Sequence, residues 1–122
     1  MEAITQITTQ EVLDHHIAAF KDADVKELLK DYTEESELLT PDGAIKGLTA
    51  IQSFFEEVFK IIPKGADFQL KQMINRDDVI YIAWNCDSHF VNIPMGTDTF
   101  IIENEKILDI ITGNNKLCST SL

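Results

Sequence analysis

The sequence has few of the residues that form disulfide bonds or metal sites, and it lacks a long apolar run of the kind that spans a membrane. Its 122 residues include two cysteines, five glycines, three prolines and one arginine. Cys86 and Cys118 lack metal-type spacing, and two such cysteines fit a reducing compartment better than a disulfide scaffold. The longest apolar run is about six residues, whereas a membrane-spanning helix needs about 20. Residues 1–5 also lack the basic start and apolar core of a signal peptide. We therefore expect a cytoplasmic protein that does not enter membranes.

Positive charge is equally scarce. The formal net charge is −11, from 21 acidic and 10 basic residues. Nucleic-acid binding requires clustered Lys and Arg, and here the basic residues are scattered, so that class of function is excluded. The acidity is typical of a soluble surface. With 44% hydrophobic and 25% charged residues, the composition is ordinary for a globular protein and predicts one domain, 1–122, with its core at about 9–114.

Helical patterns occupy the first half of the chain. Residues 1–7 are predicted to be a loose lead-in, and Thr8 with Glu11 forms a capping box. A first helix then carries the apolar-face residues Val12, Leu13, His16, Ile17 and Phe20. Asp24 caps a second, shorter helix. Thr49 is predicted to cap a third helix, which Pro63 ends, with the stripe Ile51, Phe54, Phe55, Val58, Phe59 and Ile62.

Strand patterns fill the second half. Ser36–Thr40 is a short strand that stops at a Pro-Asp-Gly turn. The later strands are predicted over Asp67–Asn75, Val79–Asp87, Gly96–Glu103 and Lys106–Thr112, the last two forming a hairpin, and Gly113 begins a loose tail. Helices followed by strands predict an α+β fold, in which a curved mixed or antiparallel sheet wraps around the N-terminal and central helices. A curved sheet that is closed by helices in this way has the shape of a cone and encloses an internal pocket.

Three segments resemble one known family. They are His16–Asp24, the stretch from Thr40-Pro41-Asp42-Gly43 to Phe54-Phe55, and Asp98-Thr99-Phe100 with the following Lys106-Ile107. In order and spacing they are similar to the nuclear transport factor 2-like superfamily, specifically its SnoaL-like and ketosteroid isomerase-like branch. The resemblance implies a cystatin-like cone, no cofactor, no metal, and a homodimer formed through the sheet.

The family's catalytic positions are only partly retained. In the isomerases, the position of Thr40 holds a general base, and a threonine hydroxyl cannot act as one near neutral pH. Their oxyanion-binding tyrosine matches His16, and a neutral carboxylic acid matches Asp98. The SnoaL-like polyketide cyclases also place an acid/base aspartate at the position of Asp98. The resemblance therefore disfavours ketosteroid isomerisation and retains Asp98.

His16 and Asp98 are the predicted catalytic pair. If the first helix closes over the sheet, the carboxylate would fix the imidazole tautomer and raise the basicity of the ring, making a general base. Burial beside aromatic residues would raise the pKa of Asp98. A histidine on an apolar face is more often a hydrogen-bonded core residue, and a strand aspartate can simply be solvated, so both alternatives stay open.

A further set of residues is predicted to bind substrate, with the alternative that the aromatic members only fill the core. Trp84 is preferred to Tyr81, because the two have opposite parity in one strand. The set is Phe20, Tyr32, Thr40, Phe55, Phe59, Trp84, Phe100, Ile110 and Thr112. We expect a small apolar ligand and leave two functions open. One is cofactor-independent acid/base chemistry on a carbonyl or polyketide-like compound, as isomerase, cyclase or dehydratase. The other is a non-catalytic ligand-binding or dimeric interaction module.

Overall fold

Apart from one additional short strand, the helices and strands follow the order that the sequence predicts. The computed structural model describes residues 8–118, and side chains over 8–113. The predicted lead-in over 1–7 and the end of the tail, 119–122, lie outside these described residues. The elements are α1 Thr9–Lys21, α2 Val25–Leu28 with a 3-10 turn at Leu29–Asp31, β1 Glu37–Thr40, β2 Gly43–Lys46, α3 Leu48–Ile61, β3 Asp67–Arg76, β4 Val79–Asp87, β5 Val91–Glu103 and β6 Lys106–Cys118.

Helix α1 begins with the predicted capping box. The Thr8 hydroxyl accepts a hydrogen bond from the Glu11 backbone N–H, and the Glu11 carboxylate accepts one from the Thr8 N–H. The start of α3 differs from the prediction: Gly47, not Thr49, is its N-cap. Glu34 accepts a hydrogen bond from the Leu48 N–H at 3.1 Å. A Cβ on Gly47 would lie 3.0 Å from that carboxylate, so glycine fits this position best. A carboxylate that is distant in the sequence thus takes the place of a local side-chain cap.

The strands extend beyond the predicted limits. Strand β5 begins at Val91 rather than Gly96, and β6 continues to Cys118, where a loose tail was predicted from Gly113. The two strands pair with each other from Val91↔Cys118 to Glu103↔Lys106. Strand β2 was not predicted, and it pairs with β1. Strand β2 is short, the end of β6 lacks apolar alternation, and Pro94 interrupts the start of β5. Pairing with a neighbouring strand therefore defines these segments.

The six strands found over residues 8–118 form one mixed sheet in the order β2-β1-β6-β5-β4-β3. Strands β1 and β6 are parallel, and every other neighbouring pair is antiparallel. Register shifts interrupt the β3–β4, β4–β5 and β5–β6 ladders, and bulges of this kind bend a sheet. The helices pack against one face of the sheet, where Ile82 and Phe100 belong to the buried core. Within the described part of the chain, no helix is long and apolar enough to cross a membrane.

The opposite face of the sheet carries exposed apolar side chains. A laterally paired row runs across five strands, from Ile74 through Tyr81, Thr99 and Ile111 to Leu39. Ile74, Ile111 and Leu39 are 42%, 48% and 38% exposed. Along each strand, the members of this row alternate with the residues that face the helices. Their side chains therefore point away from the helices, and we call these five residues the outer row. An apolar outer row is unusual for a face in contact with water.

Candidate functional site

A cavity of about 380 Å³ lies between the inner face of the sheet and helices α1 and α3. This volume is in the range of small-molecule sites. Helix α1 contributes His16, Ile17 and Phe20, and α3 contributes Phe54, Phe55, Val58 and Ile61. The rest of the wall is Leu38, Thr40, Pro41, Asp42, Ile62, Phe68, Ile82, Trp84, Ile93, Asp98, Phe100, Ile110 and Thr112. The wall is therefore mostly apolar, with a few polar side chains.

Asp98 is the principal acidic group inside the cavity. The Trp84 indole N–H donates a hydrogen bond to its Oδ2 at 3.0 Å. Burial raises the pKa of Asp98 to about 6, although hydrogen bonds from Thr112 and Trp84 act in the opposite direction. The carboxylate therefore changes its protonation state close to neutral pH, as acid/base chemistry requires.

His16 lies on the same wall but does not behave as predicted. Its residue is 6% exposed, and the rings of Tyr32, Phe55 and Phe100 surround it with centroids 5.2–6.2 Å away. Burial, with a smaller contribution from His15, lowers the pKa of His16 to about 3. The expectation that a carboxylate raises the basicity of this ring is therefore wrong, because desolvation outweighs any such effect. The imidazole is neutral near pH 7.

Tyr32 lies behind His16 rather than on the cavity wall. Its hydroxyl is 3.5 Å from the Nδ1 of His16, and burial keeps the pKa of Tyr32 well above its usual value. The phenol is therefore protonated near neutral pH, and which of the two groups donates in this contact depends on the tautomer of His16. Tyr32 thus contacts His16 rather than lining the cavity.

Phe59 is also absent from the wall that the described residues form. Its ring packs against Phe20 at 5.4 Å and Phe55 at 6.0 Å between centroids. Trp84 faces the cavity, whereas Tyr81 belongs to the outer row. The other predicted binding residues, Phe20, Thr40, Phe55, Phe100, Ile110 and Thr112, all line the cavity. The structure therefore brings most of the predicted set together.

Thr40 shapes the rim of the cavity. Its hydroxyl donates to the Gly43 carbonyl at 2.9 Å and accepts from the Asp42 backbone N–H at 3.1 Å. These bonds hold the β1–β2 turn, which brings the exposed residues Pro41 and Asp42 to the cavity. Sequence reasoning treated Asp42 only as a turn residue. It missed this wall position because nothing in the local pattern shows where a turn lies in the tertiary fold.

A second polar cluster lies outside the cavity wall. The Nδ1 of His15 is 2.7 Å from Asp31, and its Nε2 is 2.7 Å from Glu27. Hydrogen bonds to Glu27 and Asp31 raise the pKa of His15. Among the described residues, no group of three His, Cys, Asp or Glu side chains is arranged to hold a metal ion.

Comparisons with known proteins agree with this architecture. Residues 13–110 match the sequence profile of the SnoaL-like domain, and none of the curated proteins matches the chain. A nuclear transport factor 2-like protein of unknown function from Cytophaga hutchinsonii has a TM-score of 0.76 at 16% identity, over 93% of this chain and 95% of its own.

Two other crystal structures have names that mention activities. One protein, from Shewanella putrefaciens, is provisionally assigned as a SnoaL-like polyketide cyclase; its TM-score is 0.73 at 15% identity, over 93% of this chain and 92% of its own. The other, from Kribbella flavida, is provisionally assigned as a ketosteroid isomerase; its TM-score is 0.74 at 10% identity, over 88% and 77%. At such identities the likeness shows the fold alone. The predicted α+β cone is thereby confirmed.

Proposed function

Because the chain belongs to the SnoaL-like domain family, we propose that its cavity is a ligand pocket in which Asp98 transfers protons without a cofactor. The supporting observation is the carboxylate of Asp98, which lies on the cavity wall beside Trp84 and has a pKa that burial raises to about 6. A general base is most effective when its pKa is close to the pH at which it works. The substrate class is a small, largely apolar carbonyl compound, since apolar side chains make up most of the wall.

The two polar residues take different roles in this proposal. Asp98 removes a proton from the carbon next to the carbonyl group, and the electron pair moves onto the carbonyl oxygen. His16, which is neutral because its pKa is about 3, donates a hydrogen bond from Nε2 to that oxygen. A neutral imidazole can stabilise an enolate in this way. In a β,γ-unsaturated carbonyl compound the resulting dienolate extends over the C=C bond, and Asp98 returns the proton to the γ-carbon. The double bond moves to the α,β position, which completes an isomerisation with no change in composition.

One alternative has its own supporting observations. Thr40 stands where the isomerase branch has its base, and its hydroxyl is bonded within the turn. His16 is too weak a base to replace it. A non-catalytic ligand-binding module would keep the same cavity and show binding without turnover.

Proton exchange at carbon tests the proposal without knowledge of the natural substrate. The purified protein is incubated with a panel of small neutral cyclic ketones in D₂O, and loss of the α-proton signals is followed by NMR. Exchange above the buffer rate should rise as the pH passes about 6, where Asp98 ionises. Asp98→Asn should reduce it by about 10²–10⁴-fold, the usual contribution of a general base.

The control is Asp22→Asn, which removes one negative charge at the exposed C-terminal end of α1. It should leave the exchange rate unchanged. Ketones that bind without exchanging faster than in buffer would refute the proton-transfer proposal and support the non-catalytic module. Equal rates for wild type and Asp98→Asn would remove Asp98 from the mechanism.

We also propose that two copies associate through the outer row. Leu39, Ile74 and Ile111 expose apolar surface there, and the polar cavity residues lie on the other face. Burial of apolar surface stabilises association by roughly 25 cal/mol per Å² before the costs of binding are subtracted. A homodimer would cover this surface and leave the cavity unobstructed.

A further inference from the structure

We propose that the cavity selects its ligand by charge, taking aromatic compounds that end in an ammonium group, with neutral analogues binding more weakly and anions excluded. The inference rests on the proposed function only in treating the cavity as a ligand pocket. It does not depend on whether Asp98 transfers a proton.

The described wall of the cavity carries negative charge and no positive charge. Asp42 and Asp98 line it, and among the described residues no lysine or arginine does. His16, the remaining titratable group on the wall, is neutral at pH 7 because burial lowers its pKa to about 3. An anionic ligand would therefore meet a partly buried like charge with nothing to compensate for it, which is costly at low local dielectric.

Two of the described lysines are held elsewhere by acidic partners. Lys30 pairs with Glu27 at 3.0 Å, and Lys60 pairs with Glu57 at 2.9 Å. The first pair joins α2 to the 3-10 turn that follows it, the second lies on α3, and both pairs are largely exposed to solvent. The net charge of −11 adds a long-range attraction for cations that favours their entry into the cavity.

The aromatic lining determines the body of the ligand. Six rings face the cavity: Phe20, Phe54, Phe55, Phe68, Trp84 and Phe100. Aromatic faces bind apolar rings by stacking and edge contacts, and they also attract ammonium groups. A cavity of about 380 Å³ accommodates a one-ring or two-ring molecule with a short side chain.

The two carboxylates lie at different depths. Asp98 is partly buried and already accepts a hydrogen bond from Trp84. Asp42 is on the exposed turn at the rim, where an ammonium group can stay partly hydrated while it approaches the carboxylate. Since burying an ammonium group fully is costly, we place the aromatic body inside and the positive end beside Asp42.

Three probes with the same skeleton test the charge selection directly: 3-phenylpropylammonium, 3-phenylpropanol and 3-phenylpropanesulfonate. Binding is followed at pH 7.5 by the fluorescence of Trp84, the single tryptophan of the chain and a wall residue, with calorimetry as a second readout. We expect the ammonium compound to bind two- to fivefold tighter than the alcohol, and the sulfonate to bind at least tenfold more weakly than the alcohol.

Substitutions then assign the effect to the two carboxylates. Asp42→Asn should remove most of the advantage of the ammonium compound over the alcohol. Asp98→Asn should strengthen sulfonate binding several-fold. The matched control, Asp22→Asn, removes a charge at the end of α1, away from the cavity wall, and should alter none of the ratios.

Sulfonate binding as tight as alcohol binding would overturn the proposal, as would identical ratios in Asp42→Asn and Asp22→Asn. Absence of binding by both the alcohol and the ammonium compound would also overturn it. These equilibrium measurements involve no turnover. If the probes bind in the expected order but the protein does not accelerate α-proton exchange, only the catalytic proposal is refuted and the charge selection stands.

Discussion

Replacement of Asp98 by Asn should stabilise the protein, and the gain should increase with pH. The folded-state pKa of Asp98 is raised from 3.8 to about 6 by burial. The folded state therefore holds a proton that the unfolded chain releases as the pH rises from about 4 to about 6. The stability contributed by this proton is complete below pH 4 and is lost as the pH passes about 6.

The size of the effect follows from the two pKa values. The loss is about 1–2 kcal/mol at pH 5 and about 3 kcal/mol at pH 8. Asparagine has no such penalty, and its amide oxygen can still accept the hydrogen bond that Trp84 donates to Asp98 at 3.0 Å. The stability advantage of the variant should therefore grow by about 1–2 kcal/mol between pH 5 and pH 8.

Urea unfolding at several pH values measures this difference. Far-UV circular dichroism should report the transition, since Trp84 fluorescence changes when its partner is replaced. Measurements begin at pH 5, above the sequence pI of about 4.5, to avoid precipitation. Asp22→Asn should show no comparable trend. The difference in unfolding free energy between Asp98→Asn and wild type could instead stay constant from pH 5 to pH 8. That result would show that Asp98 ionises as freely in the folded protein as in the unfolded chain, and it would refute the reasoning.

Three other substitutions test the packing, the second polar cluster and the outer row. Gly96→Ala would place a Cβ 2.3 Å from the Trp84 ring and should lower the free energy of unfolding by about 2–3 kcal/mol in urea melts. His15→Gln should destabilise the protein by up to about 1 kcal/mol at pH 6, because it leaves Asp31 buried without its partner. Since the pKa of His15 is raised, its contribution is present below its unfolded pKa and fades as the pH rises through the folded value. Ile111→Lys should convert a dimer to a monomer in analytical ultracentrifugation.

Matched controls accompany these three substitutions. Gly113→Ala adds a Cβ at an ordinary 3.9 Å contact, so a loss equal to that of Gly96→Ala would contradict the packing argument. Thr49→Lys adds a charge on an exposed position of α3 and should leave the oligomeric state unchanged. If wild type and Ile111→Lys sediment alike, the outer row is not the interface. A His15→Gln effect that grows with pH would contradict the cluster argument.

Local patterns determined the main helices and strands because their signals act over a few residues. The capping box at Thr8, the periodic stripe of α3 and the hairpin turn at Asn104-Glu105 each depend on neighbouring residues alone. Both turn residues adopt positive φ, 53° and 65°, as tight hairpins require. The order of these elements, together with the family motifs, was sufficient for the α+β cone, and nine of the eleven predicted site residues line the cavity.

Tertiary structure decided what depends on distant partners. Sequence spacing placed His16 on the inner face of α1, but the aromatic cage that lowers its pKa to about 3 comes from α3, β5 and the segment after α2. Burial against those elements reversed the predicted basicity, and it made Asp98 the group that titrates near neutral pH. In the same way, the turn that holds Asp42 became part of the cavity rim only because the curved sheet brings it there. Periodicity identifies which side of a helix or strand is apolar, whereas desolvation depends on everything that packs against that side.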